Sequence, residues 1–205
     1  MKIILDDELM KESADTLAEA IRLGASRAAS KGRVVVDILA DGRAVGGPEL
    51  GDSASMARGC EELRLTSAEP KAFVRVTLLD AADALGQARA AQQRAAELVE
   101  AGSLPEAYQT LAAALNLWQA ARQALDEGAQ LVGLDLSALP LENPDELPEA
   151  IAELSRCLEE VRRCVGAQDW AGLSDVLLYD LDRLVDTWRD VLRSVAGVVD
   201  VEGAR

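Results

Sequence analysis

Apolar and polar residues follow two different periods along the chain, a β-type pattern up to residue 68 and a helical pattern after it. Residues 2–5 and 34–39 are apolar runs rich in β-branched side chains, and residues 62–66 alternate apolar and polar side chains. Such runs are typical of strands, and the alternating one is typical of a strand with one face in water. Between the first two runs lies a helical stripe, which we expect to begin after an N-cap at Ser13 and to end near Gly32.

Two hairpins complete the pattern of the first 68 residues. Residues 6–8 are a polar turn after which residues 9–12 return as a strand, and Asp41 and Gly42 are a hairpin signal followed by a short strand at residues 43–45. Residues 46–59 are rich in glycine and are expected to form a loop. The predicted order is therefore strand, strand, helix and three further strands.

This order of elements resembles the β-grasp, or ubiquitin-like, architecture over about the first third of the chain. Sulfur-carrier and conjugating members of that group end in an activated diglycine, whereas residues 67–70 here lead directly into a helix. Gly46 and Gly47 are internal and are explained as a turn. The resemblance therefore implies a small recognition module rather than carrier chemistry.

From residue 69 on, four amphipathic stretches are separated by helix start and stop signals. The first two are expected to end at Gly102 and Gly128, and the third and fourth to begin at caps on Asn143 and Asp169. Residues 170–195 repeat apolar side chains at steps of three and four, close to a heptad seam. The pattern predicts helices that pack against one another through these stripes.

The two patterns together predict an α+β fold, with a small β-grasp-like (ββαβββ) unit over residues 1–68. An antiparallel helical bundle of about four helices follows over residues 69–197, and residues 198–205 are expected to be a frayed tail. A tetratricopeptide array is the competing interpretation of the helices. The sequence shows no 34-residue self-similarity, and its helices are too long for that array.

Composition and charge exclude several functions. The 205 residues include no histidine, which excludes Ser-His-Asp and Cys-His catalysis and zinc sites that need histidine. The net charge is −15, and residues 69–205 carry 12 basic against 24 acidic side chains. This balance argues against binding to nucleic acid or anionic lipid. An acidic mimic of nucleic acid that blocks a basic protein stays open as an alternative.

The start of the chain and its apolar runs indicate a cytoplasmic protein. The N-terminus turns acidic within six residues, unlike a signal peptide, and no apolar run approaches the length of a membrane-spanning helix. Cys157 and Cys164 lie seven residues apart among apolar neighbours on one helix face. We predict that they are core residues rather than a redox pair.

Carboxylates are the remaining candidates for chemistry. Asp182 and Asp186 lie one helical turn apart and could share a cation. Carboxylate-bridged di-metal bundles, however, also use histidine ligands, which this chain lacks. We therefore expect a solvated acidic face, with no metal, no cofactor and no catalytic residue.

An apolar spot beside the seam of the last helix is the predicted partner-binding surface. It consists of Leu178, Tyr179 and Leu181. Apolar surface rimmed by acids is typical of a protein-binding groove. The alternative is that these residues form a second buried face within the bundle.

The sequence thus predicts a non-enzymatic, cytoplasmic interaction or adaptor protein. It would bind a protein partner, or a second copy of itself, by helix-in-groove docking. Small acidic helical bundles that hold secretion clients, such as flagellar export chaperones, are similar in size and charge, so an export-chaperone-like client binder is one alternative. A carboxylate- or divalent-metal-dependent enzyme is the other.

Overall fold

The computed structural model of the chain describes residues 1–139 and 145–201. The fold is α+β, with a five-stranded sheet followed by a series of long helices. The chain divides into two compact units, Met1–Phe73 and Val74–Arg205, which we name the sheet unit and the helical unit. The division falls inside a helix, a few residues beyond the boundary predicted at residue 68.

The sheet unit contains five strands, one long helix and two short helices. In chain order these are β1 (Lys2–Leu5), β2 (Glu8–Leu9), α1 (Leu17–Ala29), β3 (Val34–Ala40), β4 (Arg43–Ala44), α2 (Gly47–Leu50), α3 (Ser53–Met56) and β5 (Glu62–Ala68). The strands lie in the order β2-β1-β5-β3-β4. β1 and β5 are parallel, and the other neighbours are antiparallel. The last strand of the unit therefore lies in the middle of the sheet, between the two hairpins.

Tight turns close both hairpins where the sequence predicts them. Asp6 and Asp7 have φ of 50° and 64°, and Asp41 and Gly42 have φ of 48° and 77°. A two-residue turn that matches the twist of the strands needs this left-handed region at both positions, and aspartate and glycine tolerate it. The turn residues thus determine the register of both hairpins.

The start of α1 and the connection before β5 differ from the prediction. The N-cap is Thr16, whose hydroxyl accepts a hydrogen bond from the N–H of Glu19 (3.3 Å). The prediction of Ser13 was wrong because serine and threonine suit a cap equally, and residues 13–16 belong to the connection that follows β2. Residues 46–59 are also more ordered than the predicted loop, since they contain α2 and α3.

The core of the sheet unit lies between α1 and one face of the sheet. β1 and β5 contribute alternate residues to it, including Ile3, Leu5, Leu63 and Leu65, all nearly fully buried. α1 approaches β5 at Gly24, where an added Cβ atom would overlap Cδ1 of Leu65. Glycine is therefore needed at this point, because a side chain would displace a core leucine.

The helical unit is built from helices that begin close to the predicted signals. They are α4 (Pro70–Glu100), α5 (Leu104–Val132), α6 (Glu146–Ala167), α7 (Trp170–Asp175), a π-helical turn (Val176–Asp180) and α8 (Leu181–Val201). Asp169 caps α7 by accepting a hydrogen bond from the N–H of Gly172 (3.0 Å). The predicted cap at Asn143 lies outside the described residues.

Two helix ends lie beyond their predicted positions. α5 continues through Gly128 to Val132, and Gly133 (φ 69°) ends it, so the predicted end at Gly128 was wrong. An added Cβ at Gly128 would lie 3.0 Å from Cγ1 of Val74, which shows that this glycine allows α5 to approach α4. α8 extends to Val201, into the predicted tail, and residues 202–205 lie outside the described residues.

Replacing Gly24 with alanine tests the packing of α1 on β5. We expect Gly24→Ala to lower the free energy of unfolding by about 1–3 kcal/mol, because the new methyl group overlaps Leu65. Gly86→Ala in α4 is the matched control. Nothing lies within 4 Å of its added Cβ, and alanine there is expected to raise stability by about 0.5–1 kcal/mol. Urea unfolding followed by circular dichroism measures both, and effects of equal sign would contradict the close approach.

A carboxylate from the β1–β2 turn holds the end of β5. Asp6 Oδ1 accepts a hydrogen bond from the N–H of Ser67 (2.7 Å), and Asp6 Oδ2 accepts one from the Ser67 hydroxyl (2.6 Å). Arg33 donates from Nε to the same hydroxyl oxygen (2.7 Å) and also donates to the Ser67 carbonyl. The Ser67 hydroxyl is the largest cause that holds the pKa of Asp6 below its ordinary value of 3.8.

The Asp6 contact predicts a pH-dependent stability of the sheet unit. Because the folded-state pKa of Asp6 is lowered, its ionised form stabilises the fold above pH 3.8, and this contribution is lost as the pH falls. We expect the wild-type chain to lose more free energy of unfolding than Asp6→Asn between about pH 5 and about pH 3. At neutral pH, Asp6→Asn should be about 1–2 kcal/mol less stable than wild type. Parallel pH curves from urea unfolding would contradict this role.

Candidate functional site

A buried glutamine joins three segments of the helical unit. Gln92 on α4 is almost completely buried. Its Oε1 accepts a hydrogen bond from Nε1 of Trp118 on α5 (2.8 Å), and its Nε2 donates to the carbonyl of Leu177 in the π-helical turn (3.5 Å). Both ends of the amide have partners, which offsets the cost of burying it. Because sliding of any of these segments would break a bond, Gln92 determines their register.

The two central tryptophans extend these contacts to the remaining long helices. The rings of Trp118 and Trp188 meet edge to face, with centroids 6.0 Å apart and an interplanar angle of 86°. Nε1 of Trp188 on α8 donates to the carbonyl of Ala150 on α6 (3.2 Å). A continuous series of contacts therefore leads from α4 through α5 and α8 to α6 and determines which faces of α5 and α6 point toward each other.

An apolar groove of about 1050 Å³ lies between α5 and α6. Its floor consists of buried residues of the core, Leu111 and Trp118 on α5 and Leu154 and Val161 on α6. Trp118 thus belongs both to the hydrogen-bonded core and to the floor of the groove. The position of the floor follows from the bond between Trp118 and Gln92.

Apolar side chains that are partly open to solvent line the mouth of the groove. On α6 these are Ile151, Leu158 and Val165, and on α5 they are Tyr108 and Leu115. In both rows successive residues are seven apart, a spacing that keeps side chains on one helix face as in a coiled coil. The two walls therefore present apolar layers about 10 Å apart along the groove.

The two walls of the groove run in opposite directions. Tyr108 near the start of α5 contacts Trp170, which follows the end of α6, with ring centroids 6.3 Å apart.

On the rim, Arg122 forms an ion pair with Asp126 (2.7 Å). Arg162 on the opposite wall makes no ion pair with any residue that the structure describes. The groove is thus an apolar strip with charged edges.

The structure places the three residues of the predicted partner surface in different environments. Tyr179 is 69% exposed, Leu178 is half-buried and Leu181 is completely buried. Leu181 occupies a seam position, and the seam packs into the core. It is therefore not available to a partner, and Leu178 and Tyr179 remain as a smaller exposed spot on the π-helical turn.

The acidic face of the last helix is engaged in ion pairs. Asp182 and Asp186, considered above as a cation site, both bind Arg89 of α4, at 3.2 and 2.8 Å. The guanidinium group therefore lies where a shared cation would lie. Within residues 1–139 and 145–201, no group of three or more acidic or cysteine side chains is arranged to hold a metal ion.

The two cysteines of α6 are buried, as their spacing predicts. Burial raises the pKa of the Cys157 thiol to about 11 and also raises the pKa of Cys164. A thiol that stays protonated at neutral pH is a poor nucleophile. Both cysteines therefore act as small packing residues.

The sequence of α6 contains a signal for the groove. α6 has two apolar rows, a core row that includes Leu154 and Val161 and a second row of Ile151, Leu158 and Val165. A helix that packs on one neighbour needs only the first row. If both rows are treated as one apolar stripe, all of its residues are assigned to the core. The partial exposure of Ile151, Leu158 and Val165 is then not predicted.

No known family model matches the chain, and no curated protein or solved structure is detectably similar to it. No helix within residues 1–139 and 145–201 combines the length and the apolar character needed to cross a membrane. The function is therefore inferred from the groove and its surroundings.

A double-mutant cycle tests the bond between Gln92 and Trp118. We expect Gln92→Met to lower the free energy of unfolding by about 1–3 kcal/mol, because it leaves the buried indole N–H without an acceptor. Trp118→Phe should have a comparable cost, because it leaves the amide oxygen of Gln92 without a donor. The double variant should be clearly more stable than the sum of the two effects, as measured by urea unfolding. Additive effects would show that this bond does not couple α4 to α5.

Proposed function

We propose that this chain is a non-enzymatic interaction or adaptor protein whose groove between α5 and α6 binds an amphipathic helix of a protein partner. The observation that carries the proposal is the set of partly exposed apolar residues, seven apart on each wall of the groove. Each Å² of apolar surface left in water costs about 25 cal/mol, which a docked helix would recover. A continuous apolar strip with a polar rim is typical of a protein-binding site.

The length and spacing of the groove favour a helix as its occupant. From Ile151 to Val165 the α6 wall spans about 21 Å at 1.5 Å per residue, which is the length of a 14-residue helix. An amphipathic helix offers apolar residues at steps of three and four along such a strip. Seven-residue rows on both walls favour a shallow crossing angle of about 20°.

The occupant is expected to come from another protein. The four floor residues, Leu111, Trp118, Leu154 and Val161, offer apolar surface rather than acids, bases or nucleophiles, which favours binding over catalysis.

The setting of this interaction is the cytoplasm in our proposal. Cys60, Cys157 and Cys164 are free thiols, which suits a reducing compartment. Holding the helix of a secretion client before export is one form that such binding could take. In that form the groove would cover a client segment that otherwise exposes apolar surface.

We also propose a β-grasp-like architecture for the sheet unit and an antiparallel four-helix bundle for the helical unit. The first is supported by the strand order, in which β5 lies between the two hairpins and pairs in parallel with β1. The second is supported by bonds that link α4 to α5, α4 to α8 and α8 to α6. In this arrangement the seam between α5 and α6 is the open side of the bundle.

Replacing Leu158 with serine tests the groove as a binding site. A photoreactive amino acid at Gln119 on the rim captures the partner in cells, and the purified partner is then titrated against variants of the full chain. We expect Leu158→Ser to raise the Kd by about tenfold or more, because it removes an apolar contact at the centre of the mouth. Tyr179→Ser is the matched control at the other exposed apolar site and should change the Kd by less than about twofold.

Circular dichroism and thermal unfolding establish that both variants fold. The proposal is contradicted if Tyr179→Ser abolishes binding while Leu158→Ser leaves it intact. It is also contradicted if the cross-links map to a non-helical segment of the partner. Cross-links to a second copy of this chain, together with a dimeric mass by light scattering, would replace the partner with self-association.

A further inference from the structure

Resting on the proposed helix-binding groove, we infer that the bound helix carries acidic side chains toward one end and basic side chains toward the other. These charges determine the direction in which the helix lies. Its acidic end lies beside Arg162, toward the end of the groove at Tyr108. Its basic end lies beside Glu127, toward the opposite end.

The charges that line the groove balance. Among the described residues, the charged side chains of the lining are Arg122 and Arg162, which are basic, and Asp126 and Glu127, which are acidic. Their net charge therefore favours neither an acidic nor a basic helix. What can discriminate between bound helices is the position of each charge along the groove.

Arg162 and Glu127 lie toward opposite ends of the groove. Tyr108 on α5 contacts Trp170, just beyond the end of α6, and Arg162 lies in the last two turns of α6. Arg162 is therefore near the Tyr108 end. Glu127 lies about 28 Å farther along α5 than Tyr108, at 1.5 Å per residue. Counted in the same way, Arg162 and Glu127 are about 16 Å apart along the groove.

Neither of these two side chains is neutralised by an ion pair within the part of the chain that the structure describes. Arg162 has no acidic partner there. Glu127 Oε1 accepts a hydrogen bond from the side-chain amide of Gln123 (2.6 Å), which is a neutral group. Arg122 and Asp126, by contrast, pair with each other (2.7 Å). Arg162 and Glu127 are thus the groove charges that a bound helix can meet.

The separation of the two charges lets each act on its own part of a bound helix. The Debye length at physiological ionic strength is about 8 Å, half of their separation of about 16 Å, so they do not cancel each other. A helix in the matched direction gains two attractions, whereas the reversed helix meets two repulsions. Each exposed pair changes an equilibrium by a factor of about 1.4 to 5. The matched direction is therefore favoured about threefold or more.

Two stapled helices with the same charges in opposite order test this direction. Each is a capped 18-residue peptide with a leucine and isoleucine stripe, which is flanked by two glutamates at one end and two lysines at the other. Both peptides therefore have zero net charge. Each carries a nitroxide at its N-terminus, and the full chain is labelled at its methyl groups. The nitroxide broadens the methyl signals that lie closest to it.

The two peptides should bind in opposite directions. With the peptide that begins with glutamates, we expect the methyl groups of Val165, near the Tyr108 end, to be broadened about threefold or more over those of Ile151. With the peptide that begins with lysines, we expect the reverse. Both preferences should shrink at about 1 M salt, where the Debye length falls to about 3 Å.

Exchanging the two groove charges provides a second test. Arg162→Glu/Glu127→Lys leaves the net charge of the chain unchanged and should reverse the direction of both peptides. Arg156→Gln is the matched control, because Arg156 lies on α6 but is not part of the groove lining, and it should leave both directions unchanged. Circular dichroism checks that both variants keep the helical content of the wild-type chain.

The outcomes distinguish this inference from the proposed function. Equal broadening of Val165 and Ile151, or the N-termini of both peptides at the same end, would overturn the inference and leave the groove standing. Unchanged directions in Arg162→Glu/Glu127→Lys would also overturn the inference, because other charges would then determine the direction. Binding of neither peptide, or binding without broadening of Val165 and Ile151, would overturn the groove as a helix-binding site.

Discussion

The buried amide of Gln92 is the interaction on which the arrangement of the helical unit depends. A neutral polar group is tolerated in an apolar core only where its atoms have partners. Here the partners come from two other segments, the indole of Trp118 and the carbonyl of Leu177. An apolar side chain could fill the same volume, but it would let α4 slide against α5. The amide therefore specifies one alignment, and the floor of the groove is built on it.

The groove exists because α6 has more apolar surface than its neighbouring helices cover. The core row of α6 is covered, and Trp188 of α8 reaches its backbone at Ala150. The second row, with Leu158 at its centre, faces the groove together with Leu115 on α5. A helix with two apolar rows fits a position between two neighbours. α5 and α6 also carry more acidic than basic side chains. Repulsion between two copies of the chain therefore disfavours association through their exposed apolar strips.

The strands and turns of the sheet unit could be predicted because their signals lie in adjacent residues of the sequence. The turn at Asp41 and Gly42 and the alternation along β5 depend on adjacent residues, and both were confirmed. The sequence did not predict that Thr16 rather than Ser13 caps α1, because either side chain can cap a helix and packing decides between them. The glycine at position 128, inside a helix, is likewise explained by tertiary packing, because Val74 of α4 lies too close to leave room for a side chain.

The candidate site was less predictable because it depends on which faces remain uncovered. The seam of the last helix correctly indicates a buried row, and Leu181 belongs to it. The apolar character of Leu158 was equally visible, but its partial exposure depends on how far α5 and α6 lie apart. That separation is determined by Gln92 and the two tryptophans, which are distant from Leu158 in sequence. The helix-binding function therefore stays a prediction, and the structure shows the exposed side chain of Tyr179 and the groove between α5 and α6 as two separate apolar surfaces.

Methyl NMR is the most direct test of the claim that the groove binds a helix. The full chain is labelled at the methyl groups of isoleucine, leucine and valine and titrated with a stapled amphipathic helix that carries an apolar stripe of leucine and isoleucine. We expect the largest shift changes at Leu115, Ile151 and Leu158, with the methyl groups of Leu131 and Leu178 unmoved. Changes centred on Leu178, or spread evenly over the helical unit, would contradict a binding site between α5 and α6.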